Sequence, residues 1–363
     1  MSAINSMSTK KEEEMMKSIR GKRFGVVAVV LSLSLFAMAG YFILTPSELT
    51  AESAKPVYKG TVYSATRGGH MVFTTITIDP NTDMVSGSVA GRMPLPNNEQ
   101  ADALEMTADQ KTIYYPTWDT STLFTIDISD KKNPKVIAEK KVFDKPTRFC
   151  GSVIGPDGKL YLSSMSLGDI HKLDISNPKD AKLMDRLYKT TYLCGVQVLE
   201  NGKYIWTTDM KDHKLYVYDA KTHEKVKEIT PGGKEYLHRS RLSPDGNILY
   251  QASTGSTTSV ADGRFYTIDT KKMKVTNTFV LGPSYDVHDV ATTPDGKYAI
   301  VAARRVPTKE YKDSEYIVVN LNKNKVIGSV SMCKSCHNAM GVDPKAEGER
   351  QVFLCGIQIA WDK

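Results

Sequence analysis

Near the C-terminus, Cys333-Lys334-Ser335-Cys336-His337 sets two thiols three residues apart, with an imidazole directly after the second. Two cysteines at that spacing on a turn can reach both vinyl groups of one haem. The adjacent imidazole then supplies an axial ligand, so C-x-x-C-H is an attachment signal for haem c. The spacing does not fix a second axial ligand, for which Met332, Met340 and His288 are the near candidates. The competing chemistry for the pair is a Cys333–Cys336 disulfide. Three further cysteines, Cys150, Cys194 and Cys355, make the total odd, so all five cannot pair with one another.

Compartment decides what these thiols do. Residues 1–23 are basic, with Lys17, Arg20, Lys22 and Arg23 closing the run. Residues 24–44 carry no charge and are long enough to span a bilayer as a helix. A basic flank before an apolar run is an export signal or an uncleaved anchor. Small residues offer cleavage after Ala39 or Ala51. Residues 45–56 read as a linker, and 57–363 as an exported body in a periplasm-like compartment. There disulfides, metal ligation and haem thioethers are favoured over free thiols. The membrane is engaged only through the N-terminal segment.

The body has ordinary soluble composition, 25% charged and 40% hydrophobic over 363 residues. The net charge is +7, of which residues 1–23 contribute +3, too weak a remaining bias to argue for nucleic acid. No G-x-S-x-G, Walker loop or H-E-x-x-H occurs. The carboxylates fall mostly in turns, so no catalytic acid–base pair is assigned.

An internal repeat must position whatever chemistry there is. Segments beginning at Phe149, Leu193, Leu237 and Val287 each read as a short strand, a Pro-Asp-Gly-type turn and a run of aromatic and β-branched residues. A second hairpin follows each. Turn glycines Gly158, Gly202, Gly246 and Gly296 lie 44, 44 and 50 residues apart. Four strands at a period near 45 make a β-propeller blade. Five complete blades run from about Ala101 to Met332, and strands from the two chain ends share the closure. The count predicts an all-β, seven-bladed propeller, with six blades as the alternative; the rival is an open pair of β-sandwich sheets.

Aligned on the turn, Asp102, Cys150, Cys194, His238 and His288 take one position in successive blades, with Cys336 or His337 in the last. That position opens the innermost strand, at one mouth of the central channel. Cys150, Cys194, His238 and His288 are candidate ligands for a transition metal there. A Cys150–Cys194 disulfide is the alternative, as is a purely structural role between blades. The channel is expected to be too wide for opposite blades to share an ion. Two long loops, from Ser253 (Thr254, Ser256, Thr257) and from Arg304 (Arg305), occupy equivalent places on one face and suit partner contact.

The inner-strand pattern H-x-V-x-x-x-P-D-G resembles the YVTN-type seven-bladed propellers, over nearly all of residues 57–363. The export segment, the single propeller and the long loop at Ser253 are together similar to the β subunits of hydrazine synthases of anaerobic ammonium-oxidising bacteria. That resemblance implies a subunit that is not catalytic alone, in a complex that joins nitric oxide and ammonium into hydrazine. It also implies haem-carrying partner subunits, a loop at Ser253 reaching toward their haems, and an anammoxosome lumen or similar compartment. It does not require a haem on the propeller itself, whereas Cys333, Cys336 and His337 argue for one.

Overall fold

The computed structural model describes residues 54–187, 192–233, 236–254, 263–283, 285–305, 314–332 and 354–362. The basic and apolar N-terminal segments and the Cys333–His337 motif lie outside these residues. Among the described residues no helix is long and apolar enough to cross a membrane.

The described residues of the body form six four-stranded antiparallel sheets. Blade 1 is Leu354–Trp361, Tyr58–Thr66, His70–Asp79 and Met84–Pro94, from inside outward. Blade 2 is Glu105–Met106, Thr112–Pro116, Thr122–Asp127 and Lys135–Lys141. Blade 3 is Phe149–Ile154, Leu160–Ser164, Ile170–Asp174 and Lys182–Leu187. Blade 4 is Leu193–Leu199, Tyr204–Asp209, Lys214–Asp219 and Lys225–Ile229. Blade 5 is Tyr236–Leu242, Ile248–Thr254, Arg264–Asp269 and Lys274–Val280. Blade 6 is Tyr285–Thr292, Tyr298–Arg305, Glu315–Asn320 and Lys325–Ser331.

The expected seven blades are therefore corrected to six, and the reason lies in the closure. The last described strand is not the third of a further blade. It is the innermost strand of blade 1 and pairs with Tyr58–Thr66. Blade 6 then packs directly on blade 1: Tyr298, Ile300 and Tyr316 share a core with Val62, Val72 and Ile359. On the outer strands, Gly87 faces Val330 and Gly328 faces Val85. No gap remains for a seventh sheet, and joining first to last strands removes the open edges.

Blade chemistry follows from two-sided burial. The second strands are buried on both faces, as in Leu160–Ser164. The outermost strands are largely exposed, with half-buried residues interspersed, as in Lys135–Lys141. Large side chains fill the inter-blade layers, including Tyr115 and Phe124 between blades 1 and 2 and Trp206 and Tyr266 between blades 4 and 5. The repeated Asp is a turn device. The Oδ1 atoms of Asp109, Asp157, Asp245 and Asp295 accept from the amide two residues on, at 3.1–3.2 Å. Gly158 and its equivalents Gly246 and Gly296 adopt φ near +70°, which only glycine takes without strain.

Candidate functional site: a ring of thiols, imidazoles and a carboxylate at one channel mouth

One register feature recurs in every inner strand. The pairing with the second strand slips between Phe149 and Gly151, Leu193 and Val196, Leu237 and Ser240, Val287 and Asp289, and Thr66 and Ser64. Blade 2 shows the same interruption, between the Ala101–Thr117 bridge and the Glu105–Tyr114 pair. A bulge releases one residue from the ladder and re-aims it. The slips single out Cys150, Cys194, His238 and His288, with Asp102 and Cys355 in blades 2 and 1. All six are at most 4% exposed.

Five ring members stand where the repeat predicts. Among the described residues the sixth place is taken by Cys355, in blade 1; Cys336 and His337, expected there, lie outside these residues. The signal for Cys355 was legible in the recurring tripeptides Phe149-Cys150-Gly151, Leu193-Cys194-Gly195 and Leu354-Cys355-Gly356. Those glycines have a packing reason. A Cβ on Gly195 would stand 2.7 Å from the His238 carbonyl oxygen, and one on Gly356 2.9 Å from that of Asp102. One on Gly151 would overlap the Cys194 carbonyl. Adjacent inner strands approach too closely for any side chain there.

The ring carbonyls also tie blades together. Gly356 N–H donates to the Asp102 carbonyl at 2.8 Å, and His238 Nδ1–H to the His288 carbonyl at 2.8 Å. Thr208 Oγ1 donates to the His238 carbonyl at 3.0 Å, and Ser163 Oγ to that of Cys194. The structural role weighed for this position is thus real, and main chain and side chains share it.

A second set surrounds the first. Within two residues of the end of each second strand stand Arg67, Trp118, Met165, Met210, Thr254 and Arg304, in blades 1 to 6. Three of these bond the ring member of the next blade. Arg67 forms a two-pronged pair with Asp102 at 3.1 and 3.2 Å. Thr254 Oγ1 lies 3.2 Å from His288 Nε2. Arg304 donates to Cys355 Sγ at 2.7 Å and to the Leu354 carbonyl at 2.6 Å. Trp118, Met165 and Met210 pack around Cys150 and Cys194, and the Arg67 guanidinium stacks on Trp118 at 4.1 Å.

Of the loop residues expected to face partners, Ser253 and Thr254 are buried in a strand, and Arg304 bonds the ring. This corrects their reading as exposed loop contacts. The backbone of Arg305 ends the same strand as Arg304. Ser256 and Thr257 lie outside the described residues.

The ring is tighter than expected, because the inner strands are drawn close around a six-fold axis. Cys150 of blade 3 lies 3.6 Å from His238 Nε2 of blade 5 and 3.9 Å from Asp102 Oδ2 of blade 2. Arg239 of blade 5 crosses to Asp102, its nearest nitrogen 3.9 Å away. Below it, Arg241 reaches Glu105 Oε2 at 2.7 Å, Asp289 Oδ2 at 3.2 Å and the carbonyl oxygens of Leu104 and Ile357. Two arginines from one strand thus span the channel.

Burial and these cations set the protonation. Burial raises the Asp102 carboxyl, but Arg67, Arg239 and His238 outweigh it and hold it well below the usual carboxylate range. Burial drives His238 well below the ordinary imidazole value, helped by His288 and Arg239. Burial and Arg304 bring His288 down to about 4 against the pull of Asp286. Burial lifts the Cys355 thiol to about 11. At neutral pH the site therefore holds a carboxylate, neutral imidazoles and a protonated Cys355.

Cys150 and Cys194 form a disulfide between adjacent inner strands, Cα atoms 4.7 Å apart. It closes a loop with a sequence separation of 44. Cys194→Ser is expected to lower the unfolding free energy by about 4 kcal/mol, read as a lower urea midpoint; an unchanged midpoint would show the bond to be idle. Of the four proposed metal ligands, Cys150, Cys194 and His238 converge, with donor atoms within 4.8 Å of one another. His288 does not join them. Its Nε2 is engaged by Asp286 Oδ2 at 2.9 Å and by Thr254, while its carbonyl orients His238. Met332, a candidate haem ligand, is fully buried in the core between blades 6 and 1, its Sδ accepting from Thr74 Oγ1 at 3.2 Å.

No protein-family model matches this sequence, and no curated protein matches it. Among solved structures it is similar to the hydrazine synthase of Kuenenia stuttgartiensis, at 20% identity and TM-score 0.49 over 62% of this chain. The match spans 64% of that chain. It is also similar to a protein of unknown function from Bacteroides caccae, at 9% identity and TM-score 0.57, over 83% of this chain and 98% of that one. At 9% identity the second likeness speaks to fold alone, and the sheets of this chain are those of an all-β propeller.

Proposed function

We propose that this chain is the propeller subunit of an exported, haem-based redox complex of the hydrazine synthase kind, with the ring-bearing mouth turned toward haem-carrying partners. One observation carries the reading: the described ends of three long connections meet at this mouth. Thr254 precedes 255–262, Arg305 precedes 306–313, and Leu354 follows 333–353, the span that contains C-x-x-C-H. The residues at those ends, or adjoining them, touch the ring. The inter-strand disulfide suits an oxidising compartment. With Arg239 and Arg241 spanning the channel and, among the described residues, no acid–base pair assigned, the chain is not expected to turn over substrate alone.

Purification from the native source is expected to bring down the chain with haem-bearing partners, and the isolated subunit should be inactive. A chain that migrates by itself in gently prepared extracts overturns the proposal. A second reading rests on the same mouth: the chain carries its own haem c on Cys333 and Cys336 with His337 as axial ligand. A denaturing gel stained for haem, with the intact mass of the mature chain, decides it. A stained band that disappears in Cys336→Ser supports this reading, and an unstained band from a host with cytochrome c maturation ends it. Met332 is committed to the inter-blade core, so the second axial ligand is expected elsewhere.

A further inference from the structure

We propose that reduction of the Cys150–Cys194 disulfide turns this mouth into a binding site for one copper(I) ion, held by the two cysteine sulfurs and His238 Nε2. The inference rests on the ring alone and stands or falls independently of the haem-complex reading.

The histidine is already oriented as a ligand. Its Nδ1 faces the His288 carbonyl, which can only accept, so Nδ1 carries the proton. The lone pair is therefore on Nε2, 3.6 Å from Cys150 Sγ. A backbone carbonyl on the remote nitrogen is the usual way a metal-binding imidazole is held. The separation also fits. Three donors around one ion at bond lengths of about 2.0–2.3 Å stand roughly 3.7 Å apart. The Cys150–His238 edge is already near that length and the Cys194 and His238 donors lie within 4.8 Å; the Cys150–Cys194 edge must open, and that is what breaking the bond permits.

The donor set selects the metal. Zinc wants four ligands in a tetrahedron. Here three donors converge, and Asp102, the nearest further group, is clamped by Arg67 through both its oxygens. The thioether residues Met165 and Met210 pack on the two cysteines. Thiolates and thioethers are soft donors and favour copper(I). The Arg67 and Arg239 guanidiniums beside Asp102 offset negative charge that two thiolates would bring.

The steps balance. A dithiol reductant delivers two electrons to the sulfur–sulfur bond, which breaks. The reductant leaves as its own disulfide, and its two thiol protons pass to Cys150 and Cys194. Copper(I) then displaces both protons to solvent and forms two metal–sulfur bonds and one metal–nitrogen bond. In the disulfide state neither sulfur is a thiolate, and the site is closed to metal.

The test uses the full mature chain carrying Cys333→Ser and Cys336→Ser, which removes the other dithiol. Oxidised samples, and samples reduced with dithiothreitol and desalted without oxygen, are titrated with copper(I) against bicinchoninate. The reduced protein is expected to take one equivalent and to show thiolate-to-copper absorption in the near ultraviolet. The oxidised protein should take none, a comparison that needs no further variant to fold. His238→Gln should weaken binding at least tenfold. Equal uptake by both redox states overturns the proposal, as does undiminished uptake in Cys150→Ser/Cys194→Ser. A preference for zinc overturns the choice of metal. A disulfide that yields only once the near-ultraviolet circular dichroism of the fold is lost also overturns it.

Discussion

Asp102→Ala is expected to destabilise the propeller by about 3–5 kcal/mol, the cost of breaking a buried ion pair by removing one partner. Asp102 is fully buried and is the counter-charge of two arginines that reach it from different blades. Arg67 is partly exposed and can turn to solvent. Arg239 cannot: its side chain is 3% exposed and, among the described residues, none of its guanidinium nitrogens has a hydrogen-bond partner. Without the carboxylate its charge would sit across the channel nearly uncompensated. The pair is therefore expected to be coupled. Arg239→Met alone should cost less than Asp102→Ala, and the double variant should recover at least 1 kcal/mol relative to Asp102→Ala. Urea midpoints of the four proteins measure this. Additive losses would show that Arg239 does not depend on Asp102.

Acid should loosen the fold in two stages. His288 titrates near 4 in the folded chain, against about 6.5 unfolded. At pH above 6.5 it is neutral in both states and its contribution is fully present. As pH falls from 6.5 toward 4 the unfolded chain gains a proton that the folded chain refuses, so stability drops. The loss for His288 is about 3 kcal/mol at 1.36 kcal/mol per unit, and His238, shifted the same way by burial, adds to it. Below about 4 the carboxylates take over. Asp102 and Asp286 are both held below their ordinary range, so the stability they supply is lost only as pH falls further. Urea midpoints from pH 7.5 to 4 should decline steadily, and His288→Asn should flatten the upper part of the decline. A midpoint constant between pH 7 and 4.5 would contradict the buried neutral imidazoles.

The repeat was the most legible feature of this chain because its cause is local. Pro-Asp-Gly turns, Asx turns at Asp127, Asp219 and Asp269, and second strands buried on both faces each follow from a handful of neighbouring residues. Strand pairing across a hairpin needs no distant partner. The alignment therefore located Asp102, Cys150, Cys194, His238 and His288 correctly. It failed at the last repeat, where Cys355 belongs, because the inner strand there is separated from its own second strand by nearly the whole chain. Arg67, Met165 and Met210 were passed over for a related reason: each packs on or bonds a ring member of another blade, which no local pattern records.

The amino-acid sequence alone determined that stacked four-stranded sheets form and which residue of each inner strand is special, since turn chemistry and burial period are written in adjacent positions. Only the tertiary structure decided that there are six blades, that Cys150 meets both Cys194 and His238, and that two arginines span the channel. Those outcomes depend on how closely inner strands approach around an axis. That approach is set by bulges, by glycines at Gly151, Gly195 and Gly356 that leave no room for a side chain, and by the first and last strands meeting in one sheet.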